Sequence, residues 1–188
     1  LDDITYSPHI SVIINFHPDH MDYHEGVELY WKAKQNILSQ SKPDDYYIFN
    51  ESFPLLVELS KKTGARLMPF IKTLPFPDDA VPLLGAHNRD NARTAATVAR
   101  LIGISDSVME RAVRNFRPLP HRLEYIGISR GIRFYDDAIS TTPESTIKAI
   151  EAIPKIGTIL LGGKNRGYNF TGLAETLIRF NIHNIVLF

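Results

Sequence analysis

The sequence predicts an α/β fold with parallel strands, and three observations carry that reading. An apolar run from His9 to Phe16 (HISVIINF) stops abruptly at a cluster of carboxylates and imidazoles. Strand-like and helix-like segments then alternate through residue 70. After a break at Arg117-Pro118-Leu119-Pro120 the same alternation resumes. Chains of this rhythm pack as parallel sheets with right-handed crossovers.

Residues 9–16 are nearly continuously apolar rather than alternating, which predicts a strand buried on both faces. Val27, Tyr30, Trp31, Ile37 and Leu38 mark one face of a helix from Val27 to Gln40. Pro43-Asp44-Asp45 is a turn into a second strand, YYIFN (46–50). A helix from Phe53 to Lys62 and a short strand at RLMPF (66–70) follow. Prolines 75, 77 and 82 make residues 73–86 irregular. The alanine-rich NRDNARTAATVARLI predicts a helix from about Asn88 to Ile102, ended by Gly103, and Ser105 or Asp106 caps another to Phe116. The proline-rich break marks a domain boundary, dividing residues 1–118 from 119–188.

In the second part RLEYIGI and IRFYDDA flank Ser129-Arg130-Gly131 as a hairpin. Thr142-Pro143-Glu144 opens a helix, with a hydroxyl cap, proline in the first turn and a carboxylate at the positive dipole end. TILLGG is a strand, Thr171 to Arg179 a helix, and NIVLF (184–188) a last strand. That apolar strand, and a first residue that is not methionine, lead us to expect a piece of a longer protein.

The totals narrow the function. The 188 residues are 44% apolar and 22% charged, ordinary for a folded globular chain. Net charge is zero, which gives no global field for nucleic acid or anionic membrane and makes any anion site local. No apolar run approaches the roughly 20 residues of a membrane-spanning helix. The absence of cysteine excludes disulfides, thiolate metal sites and a cysteine nucleophile, and fits a reducing, cytoplasmic setting.

Five segments carry candidate chemistry. His17, His20, His24, Asp19 and Asp22 cluster at the end of the first strand, where open α/β sheets place ligands, although their spacing matches no common zinc pattern. GAHNRDNARTAA puts His87, Asn88 and Asn91 at a helix N-terminus, whose free N–H groups suit anions. PHRLE presents Arg122 just after the boundary, suited to a phosphate. YDDAISTTPEST places Asp137 at a strand end, where it can accept from ribose hydroxyls. LLGGKNRGYNF follows a strand with a glycine-rich loop bearing Lys164 and Arg166. It lacks the pattern of a phosphate-binding P-loop, which occurs nowhere in the chain. Each segment alone fits an ordinary loop or cap; their order carries more weight.

That order resembles the Mur ligases, ATP-dependent amide-forming enzymes of peptidoglycan precursor synthesis. The resemblance implies the later part of a P-loop-type central ATPase domain (1–118) followed by a partial Rossmann-like C-terminal domain (119–188). PDHMDYH followed by KAK resembles the family's DHxD segment and its later lysine. His20 then matches a histidine that helps hold Mg2+, and Lys34 the lysine that several members carry as a carbamate. An ammonium cannot ligate a cation, whereas its CO₂ adduct offers anionic oxygen suited to magnesium. GAHNRDN resembles the HNxxN segment, making Asn91 the nucleotide contact with Asn88 and His87 shaping its turn. Arg122 takes the role of the arginine that reaches the ATP phosphates, and Asp137 that of the ribose-binding aspartate. Thr141 falls near the incoming amino acid, and Arg166 at the basic position that meets its carboxylate. The implied substrates are ATP, UDP-N-acetylmuramoyl-L-alanine and glutamate.

Three departures bear on specificity. Ile139 stands where many D-glutamate-adding members have lysine, Arg166 replaces a lysine, and Asn169 an aspartate. An ISTTP segment also resembles a branch that adds L-glutamate. A folylpolyglutamate-synthase-like ligase and a non-catalytic nucleotide-binding module stay open as alternatives.

Overall fold

In the computed structural model, which describes residues 5–17, 26–164 and 166–188, the chain divides into two units. One comprises Leu1–Ala80 with Asp90–Arg114, the other Val81–Arg89 with Asn115–Phe188.

The first unit is built on a three-stranded parallel sheet in the order β1 (Ile10–Ile13), β2 (Tyr46–Phe49), β3 (Arg66–Pro69). Helix α1 (Val27–Gln35) links β1 to β2 and runs on into a 3₁₀ turn at Asn36–Leu38, so the predicted helix to Gln40 tightens in its last turn. Helix α2 (Pro54–Ser60), with proline at its first position, links β2 to β3. Full burial falls on β2, where Tyr47, Ile48 and Phe49 are enclosed, rather than on β1, where only Ser11 is buried. The reason is placement: β2 lies between two strands, whereas β1 has one partner in this sheet. The core gathers Leu38, Tyr47, Phe49, Leu56, Leu59 and Ala65, with Trp31 and Ile37 of the helical crossover packed onto it.

Two further helices complete this unit. Helix α3 (Ala86–Leu101) starts two residues earlier than its sequence pattern suggests and runs through the division between the units. Within the first unit, Thr97 Oγ1 accepts the Ile71 N–H at 3.0 Å, fixing the exit of β3 on α3. Helix α4 (Asp106–Arg114) is tied back by a two-pronged pair, Arg100 Nε to Asp106 Oδ1 at 3.1 Å and Arg100 Nη2 to Asp106 Oδ2 at 2.9 Å.

The second unit carries an antiparallel hairpin, β4 (Glu124–Ser129) with β5 (Ile132–Asp136), and a parallel pair, β6 (Thr158–Leu161) with β7 (Asn184–Leu187). Arg130 (φ 50°) and Gly131 (φ 78°) make the tight turn of the hairpin, both left-handed as a two-residue connection demands. A bulge between Tyr125 and Gly127 shifts the register, which ends by placing Glu124 opposite Asp136. Helices α5 (Pro143–Ala152) and α6 (Thr171–Arg179) pack together, with Ile150, Leu173 and Ile182 at the centre of their core. The capping box of α5 pairs Thr142 with Ser145 rather than with a carboxylate. No helix among the described residues is long and apolar enough to cross a membrane.

The core also contains one avoidable cost. Tyr47 is fully enclosed, its ring stacked on Phe49 at 4.9 Å, and its hydroxyl has no hydrogen-bond partner among the described residues. Burial pushes its ionisation well above the usual tyrosine range. Tyr47→Phe keeps the stacked ring and removes the orphaned oxygen, so it is expected to stabilise the protein by up to about 1 kcal/mol. Thermal unfolding of the full-length protein checks this; a lowered midpoint would mean that the hydroxyl is satisfied.

Candidate functional site

In the first unit the candidate residue is Lys34. Phe16, at the end of the segment after β1, packs its ring on Tyr30 at 5.2 Å and on Trp31 at 4.7 Å, which sets the start of α1 against the sheet. Lys34 lies one turn further along, in the last turn of α1, half-buried, with Nζ 5.0 Å from the centre of the Tyr30 ring. Among the described residues no carboxylate pairs with it. His20, Asp19, Asp22 and His24 lie outside the described residues. His17 sets its ring edge-on to Phe53, with centroids 5.8 Å apart, which is a packing contact.

In the second unit Asp137 and Arg122 are brought together by backbone bonds. The first carboxylate oxygen of Asp137 accepts the Leu123 N–H at 2.8 Å, and the second accepts the Ser140 hydroxyl. The Ile139 N–H donates to the His121 carbonyl at 3.2 Å, so the PHRLE and DDAIS segments are laced into one structure. Next to it, His121 Nδ1 meets Asp136 Oδ2 at 2.7 Å, and the His121 N–H donates to Glu124 Oε2 at 2.9 Å. The hydrogen bond and charge of Asp136 raise the imidazole above its ordinary value. In turn the bonds from His121 and the Ala138 N–H lower Asp136. Arg122, next in sequence to His121, is exposed and makes no ion pair among the described residues. A carboxylate offers about four lone-pair directions. With two taken, Asp137 keeps acceptor capacity for a ligand hydroxyl.

The other candidates are placed separately. Gly85 (φ 92°) forms the turn before α3, and a Cβ there would stand 2.7 Å from the His87 ring and 3.0 Å from Ala152. Only glycine fits that turn. Asn88 is buried and its side-chain NH₂ donates to the Leu84 carbonyl at 2.7 Å, so it shapes the turn. Asn91, one turn further along α3, is exposed. Thr141 is exposed immediately before the Thr142 cap of α5, four residues from Asp137. Arg166 is exposed in the loop after β6, and no contact among the described residues joins it to Asp137, Thr141 or Arg122.

The known proteins that this chain resembles point one way. A model of the Mur ligase middle domain matches residues 1–74. A UDP-N-acetylmuramoylalanine–D-glutamate ligase of Streptococcus agalactiae is 34% identical over 203 residues, covering 97% of this chain and 44% of that protein. The enzyme of that name from Caldanaerobacter subterraneus subsp. tengcongensis is 31% identical over 192 residues, covering 91% of this chain and 42% of the relative. Over nearly its whole length the chain is similar to Mur ligases. It spans less than half the length of these curated relatives, 44% and 42%.

Solved Mur ligases share the fold across nearly the whole chain. MurF from Acinetobacter baumannii superposes with a TM-score of 0.78 at 19% identity, covering 96% of this chain and 47% of that one. MurF from Thermotoga maritima, solved in complex with ADP, gives 0.72 at 15% identity, covering 96% and 52%.

Mur ligases use ATP. Among the described residues no carboxylate pairs with Lys34, and an anionic carbamate at the negative end of α1 would need a cation beside it. Among the described residues no three histidine, aspartate or glutamate side chains converge as a ligand group.

The residues that sequence reading passed over are His121 and Asp136. Their pairing follows from the hairpin register, in which Glu124 opposite Asp136 brings the segment before β4 to the end of β5. Counted back from the Arg130-Gly131 turn, a regular hairpin would set Tyr125 opposite Asp136; the bulge between Tyr125 and Gly127 moves Glu124 into that place, so the turn signal alone does not find the pairing.

Proposed function

We propose that this chain is part of an ATP-dependent ligase that joins glutamate to UDP-N-acetylmuramoyl-L-alanine. Residues 1–118 belong to its central ATP-binding domain and residues 119–188 to its C-terminal domain. The observation that supports the reading is the bond from the Leu123 N–H, the residue after Arg122, to Asp137, which suits a phosphate-binding cation close to a ribose acceptor. The names of the curated relatives, D-glutamate ligases alike over more than nine-tenths of this chain, supply the substrate class.

In this reading the terminal carboxylate of the acceptor attacks the γ-phosphorus of ATP and ADP leaves. The amine of glutamate, having shed a proton, attacks the acyl carbon, and phosphate departs as the amide forms. Arg122 binds phosphate oxygens, Asp137 accepts from the ribose, Asn91 contacts the nucleotide, and Asn88 holds the turn that presents it. Thr141 and Arg166 orient the amino acid, the guanidinium holding its carboxylate. His20 and the carbamate of Lys34 would hold Mg2+, which when bound would offset the repulsion between carboxylate and triphosphate. Positioning of this kind supplies much of the rate in phosphoryl transfer.

The test is phosphate release by the full-length protein with UDP-N-acetylmuramoyl-L-alanine and each glutamate enantiomer. Turnover that requires D-glutamate is expected. Turnover with L-glutamate alone would reassign the branch, a reading that Ile139, exposed where a cation is usual, favours. Turnover only with a folate acceptor would discard the peptidoglycan assignment. Residues 1–188 alone are expected to bind ATP weakly and not to turn over.

A further inference from the structure

We propose that His121 and Asp136 are positioning residues for Arg122, a clamp that holds the arginine's backbone in the conformation that meets phosphate. The inference rests on the reading of Arg122 as a phosphate ligand. Two facts on opposite sides of Arg122 carry it. His121 (φ 62°) and Leu123 (φ 47°) are both left-handed, the only non-glycine pair so placed around a single residue among those described. Such backbone is disfavoured for side chains with a Cβ, and for leucine especially, so something must hold it.

What holds it is a set of four bonds, none made by Arg122 itself. Asp136 takes the His121 ring at 2.7 Å, Glu124 the His121 N–H at 2.9 Å, and Asp137 the Leu123 N–H at 2.8 Å, while the His121 carbonyl accepts from Ile139 at 3.2 Å. Asp136 is fixed in turn by the Ala138 N–H at 2.9 Å. Of these, only the His121–Asp136 contact is side chain to side chain. Exposed ion pairs add little to stability. Here the pair instead ties the residue before Arg122 to the last residue of β5.

The ionisable groups facing His121 are Asp136 on β5 and Glu124 on β4, both acidic. They favour the imidazolium. The charged pair is therefore complete below the ordinary imidazole value and is lost as pH rises through the raised value. The clamp loosens on the alkaline side.

The experiment is a double-mutant cycle in the full-length protein, read as kcat/KM for ATP. Asp136→Ala is expected to lower it about tenfold, from displacement of the guanidinium. In an Arg122→Ala background the same substitution is expected to change it less than twofold, because its effect passes through Arg122. An equal loss in both backgrounds overturns the clamp while leaving Arg122 as a ligand. Unchanged ATP kinetics in Arg122→Ala alone instead overturns the assignment of Arg122. If Asp136→Ala does not fold, Asp136→Asn keeps the acceptor but not the charge. Its alkaline limb in kcat/KM for ATP is expected to move to lower pH, and a limb that does not move overturns the proposal.

Discussion

Lys34→Ala is expected to lower kcat of the full-length ligase at least about a hundredfold, and excess bicarbonate is not expected to restore it. The argument is local. Lys34 ends α1 with its Nζ 5.0 Å from the Tyr30 ring centre, in the last turn, where the helix dipole favours a cation. Left as an ammonium it would be content there, yet no carboxylate among the described residues has been provided for it. Carbamylation would reverse its charge at an unfavourable helix end, so in the proposed site the adduct would need a metal ion beside it. Adduct and metal are then expected to stabilise one another. Alanine removes the nitrogen on which CO₂ adds, which is why bicarbonate cannot rescue it. A small carboxylic acid supplied in trans is expected to restore part of the activity by standing in for the lost oxygen ligand. Wild-type activity in Lys34→Ala would remove the lysine from the metal site. The aromatic packing that places α1, Phe16 on Tyr30 and Trp31, does not involve the Lys34 head group, so the variant is expected to fold.

The sequence was informative wherever a local rule governs the structure. Every predicted strand and helix forms, within a few residues of its expected ends, because apolar period, proline at first turns and glycine after last turns are all local signals. Burial was less legible. The run at His9–Phe16 looks more apolar than YYIFN, yet β2 is the enclosed strand, since burial depends on which strand has two neighbours. The site shows the same division. Asp137 and Arg122 were each readable from their segments, but not that the bond joining them would use the backbone of Leu123. Asn88 was readable as part of a helix start, while its burial and its bond to Leu84 come from tertiary packing around Gly85. Left-handed backbone at Leu123 had no signal, and at His121 only the weak one that histidine enters this region more often than most residues.

Asp137→Ala is expected to lower kcat/KM for ATP about a hundredfold, more than removal of a ribose contact alone would cost. The proposed role adds a second duty to the one the structure shows for this carboxylate. It would accept from the ribose with the lone pairs left over, and it already accepts from the Leu123 N–H and the Ser140 hydroxyl. Alanine therefore removes the nucleotide contact and releases the backbone next to Arg122, so ribose and phosphate recognition fail together. Asp137→Asn separates the duties. Its amide oxygen can keep the Leu123 N–H, and the Ser140 hydroxyl can turn to accept from the amide nitrogen, so the loop is retained. What it loses is the charge that strengthens bonds from ribose hydroxyls. Asn is accordingly expected to raise KM for ATP several-fold with little change in kcat, and Ala to depress both. Equal losses in the two variants would mean that the ribose contact accounts for everything and the loop bond for nothing. Asp136 ends β5 and Asp137 follows it, and each accepts one backbone N–H, but the side-chain partner of Asp136 is the His121 imidazole and that of Asp137 the Ser140 hydroxyl. Their variants should consequently differ in pH dependence, only the former being coupled to an imidazole.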